Sequence, residues 1–277
     1  MERADVPRAL AVSWSDPAGR DGVAADLRTF GAFGVHAAAV VTGIGGVPAP
    51  GSRPAPLPAA FVDGQIDAAV ASMGPSPVKV SVLGHPEADG VLAARLQALK
   101  TDQLVLDLSP LGSAGAPVTG TPGQPPAALY KTVLPALAAV LLVDVATAEA
   151  LAGIKIKNQT ALRAAAKLLH RLGPRYVLVM GAQLPDGEPV DILFDGRQVM
   201  DYPGERLPLP EPPGASSTYA SAIAAGLAHG RSVEEAVAVA RIYVTEAVRN
   251  AYSTGGVASA NQLYAWWAAG GSNGYGA

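Results

Sequence analysis

The feature that most limits the fold of this 277-residue chain is the alternation of short β-branched runs with Ala-rich helical patterns. This alternation is typical of a parallel sheet with crossover helices. One large α/β domain is the default for this length. Strand-like runs lie at 8–13, 37–42, 78–83, 104–108, 140–143 and 176–180, and helical patterns lie at 22–34, 60–73, 89–99, 146–152 and 160–172.

The second half of the chain predicts a hairpin and two further helices. Runs at 190–194 and 198–202 flank Asp195-Gly196, which is a two-residue hairpin signal. The helices are expected at 217–228 and 233–251. We predict one domain over residues 1–252 and a C-terminal extension over 253–277, whose Gly-rich tail after residue 270 we expect to be mobile.

Helical spacing also predicts which side chains are buried. In helix 22–34, Leu27 and Phe30 share one face. In helix 60–73, the residues spaced for burial are Phe61, Ile66, Ala69 and Val70.

Composition excludes several classes of function. The net charge is −3 and Lys and Arg are scattered, which argues against a nucleic-acid partner. The chain contains no Cys, so thiolate chemistry is excluded, and its four scattered His argue against a zinc site. No apolar run reaches the roughly 20 residues that span a bilayer. The start, MERADVPRAL, is charged where a signal peptide would be apolar. We therefore expect a cytoplasmic protein without a membrane partner.

Open α/β sheets bind ligands beyond the carboxyl ends of their strands. The stretch PPGASSTYASAIAAG, residues 212–226, predicts a turn and a helix start whose free amides attract an anion. The alternative is that Ser216 or Ser217 only caps this helix. In the loop after the first strand, Asp16 either accepts a hydrogen bond from a ligand or forms an Asx-turn with Gly19. Arg20 either holds a phosphate or pairs with Asp21.

Two stretches, 43–58 and 108–126, are rich in Gly and Pro. Long loops of this composition in a compact α/β domain are either binding loops and lids or disordered segments. The sequence favours neither.

Several segments together resemble the hydroxymethylpyrimidine (phosphate) kinases and their pyridoxal-kinase relatives in the ribokinase superfamily. They are SDPAGRDGVAADLRTF, VKVSVLG, AEALAGI, VLVMGAQLPDG and GASSTYASAIAAGLAHG, and they occur in the family's order between Ala9 and Tyr252. The resemblance implies a ribokinase-like α/β fold, with a central, mostly parallel sheet flanked by helices on both faces. It also implies ATP-dependent phosphoryl transfer with Mg²⁺, and a homodimer.

The resemblance assigns roles to individual positions. Ser217 falls where the family has its proton acceptor, a Cys or an Asp. Positions implied to contact phosphate or nucleotide are Gly214, Ala215, Ser216, Thr218 and Gln183. Positions implied to contact the substrate are Trp14, Asp16, Lys79 and Leu83. Asp144 and Asp107 are implied to lie near the metal.

Some family residues are replaced here. A serine hydroxyl such as that of Ser217 is not a base near neutral pH without another base behind it. Thr147 stands where the family has a magnesium-organising Glu, and Met180 stands where it has a phosphate-binding Lys. Loss of one such element costs about 10²–10⁴ in rate.

We therefore predict a homologue of hydroxymethylpyrimidine phosphate kinase in which a non-catalytic binding or regulatory role is slightly favoured. The alternative is an active small-molecule kinase with altered substrate. ATP and Mg²⁺ are the expected cofactors if the chain is active, and none is expected otherwise. A small-molecule ligand and a second copy of the chain are the expected partners.

Overall fold

The computed structural model describes residues 6–45, 54–74, 76–81, 86–109, 130, 133–182, 184, 188–208, 212–254 and 256–268. Leu83 and Gln183 lie outside these residues. So do residues 46–53 and 110–126 of the two Gly- and Pro-rich stretches, and the tail after residue 270.

The described residues form a nine-stranded sheet in the order β3-β2-β1-β4-β5-β6-β7-β8-β9. Neighbouring strands from β2 to β7 pair in parallel, whereas β3, β8 and β9 are each antiparallel to a neighbour. The strands are β1 Arg8–Ser15, β2 His36–Ile44, β3 Ala55–Pro56, β4 Val78–Ser81, β5 Leu104–Asp107, β6 Val140–Val143, β7 Tyr176–Val179, β8 Val190–Phe194 and β9 Val199–Pro203, with a separate hairpin of β10 Tyr252–Thr254 and β11 Val257–Ser259.

Helices cover both faces of the sheet. They are α1 Gly22–Ala32, α2 Ala59–Met73, α3 Pro86–Leu99, α4 Leu134–Leu137, α5 Val145–Ala152, α6 Gln159–His170, α7 Ala215–Ala228, α8 Val233–Arg249 and α9 Tyr264–Ala268. Polar caps start several of them, most completely at α8, where Ser232 and Glu235 form a capping box. No helix in the described part of the chain has the length and hydropathy to cross a bilayer.

Two hydrophobic layers hold the helices on the sheet. One layer, which includes Leu10 and Val12 of β1, packs against α2, α3, α5 and α6. The other, which includes Ala9 and Ala11 of β1, packs against α1, α7 and α8. Residues along a strand alternate between the two faces. The predicted α/β class, a mostly parallel sheet with helices on both faces, is confirmed.

Helix α7 is buried almost along its whole length. Its residues are mainly Ala, Ser and Gly, which allows α1 and α8 to pack beside it and the sheet to lie below it. The helix contacts β1, β4 and β5, and the residue before it, Gly214, lies against Arg20 in the loop that follows the carboxyl end of β1.

Some predictions about burial were wrong. Phe61 is 69% exposed, and Val70 and Leu27 are also exposed, whereas Phe30, Ile66 and Ala69 are buried as predicted. The reason is that α2 packs only one narrow stripe on the sheet. That stripe is formed by Val62, Ile66, Ala69 and Met73, and Phe61 and Val70 lie outside it.

The β8–β9 connection also differs from the prediction. Phe194 pairs with Val199, and the Asp195 amide donates to the Gln198 carbonyl at 3.3 Å. The predicted hairpin is therefore present, but its tip is Gly196-Arg197, one residue later than Asp195-Gly196. The Asp195 carboxylate accepts hydrogen bonds from the amides of Arg197 and Gln198. These side-chain bonds form an Asx-type turn within the predicted hairpin.

Part of the predicted C-terminal extension is ordered on the domain. The β10–β11 hairpin and the short α9 follow α8, and Asn261 and Gln262 are buried between them. The amide of Asn261 donates to the carbonyl of Ala247 on α8 at 2.8 Å.

Candidate functional site

The loop after β1 and the start of α7 meet at the carboxyl edge of the sheet. Gly214 precedes α7 with a φ of 84°, a left-handed conformation that favours glycine. A Cβ at this position would lie 2.0 Å from the carbonyl oxygen of Arg20. Gly214 therefore allows the turn before α7 to pack directly on the loop that contains Asp16.

The first turn of α7 presents backbone amides to this edge. An α-helix leaves its first amides without intrahelical partners, so those of Ser216 and Ser217 face outward along the helix axis. The predicted phosphate-contacting residues Gly214, Ala215, Ser216 and Thr218 all belong to this turn. The helix dipole adds a partial positive charge there, which favours an anion.

Ser217 lies on the inner side of this turn. Its side chain is fully buried, and its hydroxyl has no hydrogen-bond partner among the described residues. No described carboxylate or imidazole is bonded to this hydroxyl, so the structure shows no base that would activate it. Its role as proton acceptor stays a prediction.

The carboxylate of Asp16 organises its own loop. It accepts hydrogen bonds from the amides of Ala18 at 2.9 Å, Arg20 at 2.8 Å and Asp21 at 3.2 Å. The amide of Gly19 donates to the main-chain carbonyl of Asp16. The Arg20 guanidinium pairs with Asp16 at 3.7 Å, so the predicted pairing with Asp21 was wrong. The Asp16 carboxylate therefore closes its own loop, as the turn alternative expects, but through Ala18, Arg20 and Asp21 and not through Gly19. Contact of Asp16 with a ligand stays a prediction.

Trp14 lies one residue before the end of β1. The register of β1 against β2 shifts between Ser13 and Ser15, which is a bulge that turns the indole out of the regular pleat. The half-buried ring packs over the backbone of Gly45 at the end of β2. The Trp14 ring thus lies beside the start of the Asp16 loop, and its contact with a substrate stays a prediction.

Lys79 occupies a different environment from the other predicted substrate contacts. Its side chain is fully buried, and its ammonium donates to Asp26 of α1 at 2.7 Å. The same Asp26 oxygen accepts a hydrogen bond from Ser221 of α7 at 2.8 Å. Burial raises the pKa of Asp26, while the nearby Lys79 lowers it. The structure thus places Lys79 in an internal ion pair that ties β4, α1 and α7 together.

Asp107 ends β5 beneath the same helix. Its carboxylate accepts hydrogen bonds from the Ser81 hydroxyl at 3.3 Å and from the Ser109 amide at 2.9 Å. Burial raises the pKa of Asp107 to about 6, although the positive charge of Lys79 opposes the rise. The carboxyl is therefore part of the polar layer between the sheet and α7.

Asp144 follows the neighbouring strand β6 and caps α5. Its carboxylate accepts from the Thr147 amide at 2.7 Å. No group of three or more His, Cys, Asp and Glu within the described residues could hold a metal. Mg²⁺ in nucleotide sites commonly relies on one or two carboxylates plus substrate phosphates. The metal roles of Asp144 and Asp107 thus stay predictions.

Another buried carboxylate, Asp191 of β8, lies near Tyr219 of α7. It accepts from the Gly181 amide, just after β7, at 2.9 Å, and pairs with Arg241 of α8 at 3.0 Å. Burial and the Asp191 charge raise the pKa of Tyr219 on α7 well above its ordinary value. Asp191 therefore joins the end of β7 to α7 and α8.

Arg241 also borders an open groove of about 700 Å³ between the β8–β9 strands and α8. Its guanidinium packs over the backbone of Gly204. Other lining residues include Glu188, Pro189, Pro203 and the exposed Ile242. The groove lies at the carboxyl edge of β7 and has the size of a small-molecule site.

Sequence reasoning did not single out Asp26, Asp191 or Arg241. A signal for Asp26 was present, because it lies between Val23 and Phe30 on the buried face of α1. A charge on an apolar face requires a partner, and the Lys in the buried run VKVS is its match. The pairing itself becomes visible only when α1 packs over β4.

The sheet order and the position of α7 define a ribokinase-like α/β kinase fold. The family model of phosphomethylpyrimidine kinase matches residues 16–261. The chain belongs to this family. A hydroxymethylpyrimidine/phosphomethylpyrimidine kinase of Mycobacterium bovis is 35% identical over 254 residues, which is 90% of each chain.

Solved structures agree with this assignment. The ADP complex of Bacillus subtilis pyridoxal kinase superposes with a TM-score of 0.84 at 25% identity, covering 95% of this chain and all of the other. A phosphomethylpyrimidine kinase of Clostridium difficile gives a TM-score of 0.71 at 27% identity, covering 87% of this chain and all of the other. The predicted family and ribokinase-like fold are confirmed. These relatives are kinases, and they support the predicted alternative, an active kinase, better than the non-catalytic role.

Proposed function

We propose that this chain is an active small-molecule kinase that uses Mg-ATP to phosphorylate a hydroxymethylpyrimidine, its phosphate or a pyridoxal-type substrate. The observation that carries the proposal is the start of α7, which Gly214 sets against the Asp16 loop at the carboxyl edge. Membership of the phosphomethylpyrimidine kinase family over residues 16–261 supports it.

The amides at the start of α7 would stabilise the negative charge of the transferring phosphoryl group. Phosphoryl transfer depends mainly on positioning and electrostatic stabilisation, and preorganised amides supply both. The groove beside Arg241 is large enough for a nucleoside, and it opens at the same edge of the sheet. The donor nucleotide would extend from this groove toward α7.

The acceptor would lie between Trp14 and the Asp16 loop. The indole offers a face on which a planar heterocycle stacks, and the hydroxymethyl group would then point toward Ser217. The buried Lys79 would act through its ion pair with Asp26 and not by direct contact with the acceptor. Mg²⁺, when bound with ATP, neutralises phosphate charge, and Asp144 and Asp107 are the carboxylates that would lie nearest to it.

A second candidate function is ligand binding without phosphoryl transfer. The observation that favours it is the buried Ser217 hydroxyl, which no described residue activates. A general base typically contributes about 10²–10⁴ in rate, so its absence would reduce turnover strongly while leaving ligand affinity intact.

Calorimetry with Mg-ATP and a coupled ADP-release assay distinguish the two candidates. We expect saturable ADP release with hydroxymethylpyrimidine, its phosphate or pyridoxal. In Ser217→Ala we expect kcat to fall by about 10², because the hydroxyl would no longer donate a hydrogen bond to the transferring phosphoryl group. Ser253→Ala, an exposed serine on β10, is the matched control and should retain full activity. Binding of ATP and pyrimidine without ADP release would establish the second candidate, and failure of Mg-ATP to bind at millimolar concentration would exclude the kinase.

A further inference from the structure

Gln262 lies in the segment between β11 and α9, and its backbone is fixed on α8. The side chain is 1% exposed. The Tyr243 hydroxyl donates to the Gln262 carbonyl, and the preceding residue, Asn261, donates its amide to Ala247. The position of the Gln262 backbone is therefore set by α8.

The Gln262 side chain connects two elements from distant parts of the sequence. Its amide nitrogen donates to the Thr218 hydroxyl in the first turn of α7 at 3.0 Å. Its amide oxygen accepts from the Arg28 guanidinium at 3.2 Å. A guanidinium has only donors, so the oxygen must face Arg28 and the nitrogen is left for Thr218.

Arg28 carries the connection onward to the Asp16 loop. Its guanidinium donates to the carbonyl of Gly19, within the turn that Asp16 closes. It also contacts the Tyr252 hydroxyl of β10 at 3.4 Å. A continuous polar chain thus runs from the Gly19 carbonyl through Arg28 and Gln262 to Thr218.

We propose that Gln262 is a positioning residue that couples the Asp16 loop to the first turn of α7. Binding of a ligand at either element then orders the other, so that an acceptor at the loop and a nucleotide at α7 bind with positive coupling. The ligand part of this inference rests on the function proposed above. The structural part, which is the hydrogen-bonded connection between the Asp16 loop and α7, does not rest on that function.

Burial makes this link consequential. Thr218 and Gln262 are almost fully inaccessible, so water cannot replace a lost partner without rearrangement. The direct contact between Gly214 and Arg20 fixes only the backbone junction. The polar chain fixes the Thr218 side of the first turn of α7 against the Gly19 side of the same loop.

Hydrogen–deuterium exchange on the free full-length protein tests the hydrogen-bonded connection. In Gln262→Met, a near-isosteric change without hydrogen bonds, we expect exchange of the amides of 18–21 and of Thr218 to accelerate by about 2- to 12-fold. In Thr218→Val only the α7 side should accelerate. Gln65→Met is the matched control, because Gln65 bridges β2 and α2 by hydrogen bonds to Val41 and Phe61, away from this chain of contacts.

Unchanged exchange at either element in Gln262→Met would overturn the proposal, and so would an equal acceleration in the central strand β6. If Gln262→Met does not fold, two single variants replace it. Thr218→Val tests the contact of Gln262 with α7, and Arg28→Met tests its connection to the Asp16 loop. Equal acceleration of both elements in Thr218→Val would also contradict the assignment.

Ligand affinities test the coupling. The affinity for hydroxymethylpyrimidine is measured with and without Mg-ADP. In the unaltered protein we expect Mg-ADP to increase this affinity by about 5- to 150-fold. In Gln262→Met we expect Mg-ADP to leave the affinity nearly unchanged. Equal strengthening in both proteins would overturn the coupling. If neither hydroxymethylpyrimidine, its phosphate nor pyridoxal binds, the proposed function fails, and the exchange measurement still decides the role of Gln262.

Discussion

Two buried carboxylates, Asp26 and Asp191, flank α7 and differ in their access to solvent. Asp26 pairs with Lys79, and both side chains are 0% exposed. Asp191 pairs with Arg241, which is 12% exposed and borders the open groove. Each carboxylate lies beside a hydroxyl of α7, Ser221 in the first case and Tyr219 in the second.

The difference indicates that the two ion pairs have different roles around α7. The enclosed pair at Asp26 is isolated from solvent, so it serves to hold α7 in place beneath the candidate site. The pair at Asp191 connects the amide after β7 to a groove that a ligand can enter. A buried ion pair is not strongly stabilising by itself, yet removal of one partner is costly because the other charge stays buried.

The largest expected effect comes from breaking the enclosed pair. Lys79→Met leaves the Asp26 carboxylate without its cation, and we expect unfolding free energy to fall by about 3–5 kcal/mol. Urea unfolding measures this change. The double variant Asp26→Leu/Lys79→Met is the control and should recover most of the loss, because no charge remains buried. A Lys79→Met protein as stable as the unaltered one would show that the pair is not isolated from water.

The next effect is the pH dependence of the unfolding free energy that Asp107 causes. The pKa of Asp107 is about 6 in the folded protein, above its ordinary value of 3.8, so the folded state retains a proton that the unfolded state has lost. Stability conferred by this carboxyl is therefore present at low pH and is lost as pH rises from about 4 to about 6, by about 3 kcal/mol.

Asp107→Asn removes this dependence. Urea unfolding of both proteins at about pH 4 and about pH 8 should show that the variant gains relative stability at the higher pH. A constant difference between the two proteins would contradict the raised pKa of Asp107.

The smallest effect is expected at the solvent-accessible pair. Arg241→Met leaves Asp191 unpaired, but water in the groove can reach the site, so we expect a loss of about 1.5–3 kcal/mol in unfolding free energy. Nucleotide affinity should also fall, since Arg241 borders the groove. A loss as large as that of Lys79→Met would erase the contrast between the two pairs.

Much of the fold was predictable because the strands are short, apolar and separated by helical patterns. The strand Val140–Val143 was predicted with its observed bounds, and most other elements within a few residues. The C-terminal hairpin and α9 were missed, because their stability comes from packing on α8 and not from local periodicity. The exposed positions of Phe61 and Val70 were missed for a related reason, since the stripe of α2 that packs depends on the sheet below it.

The sequence by itself determined the α/β class, the family and the position of the α7 turn, because periodicity and ordered motifs are local properties of the chain. Only the tertiary structure decided what the polar residues contact. The Asp16 carboxylate closes its own loop, and the Lys79 ammonium forms a buried ion pair with Asp26. Gln262, far along the chain, joins that loop to α7 through Arg28 and Thr218. Such pairings depend on distances between elements that are remote in sequence, which no local pattern encodes.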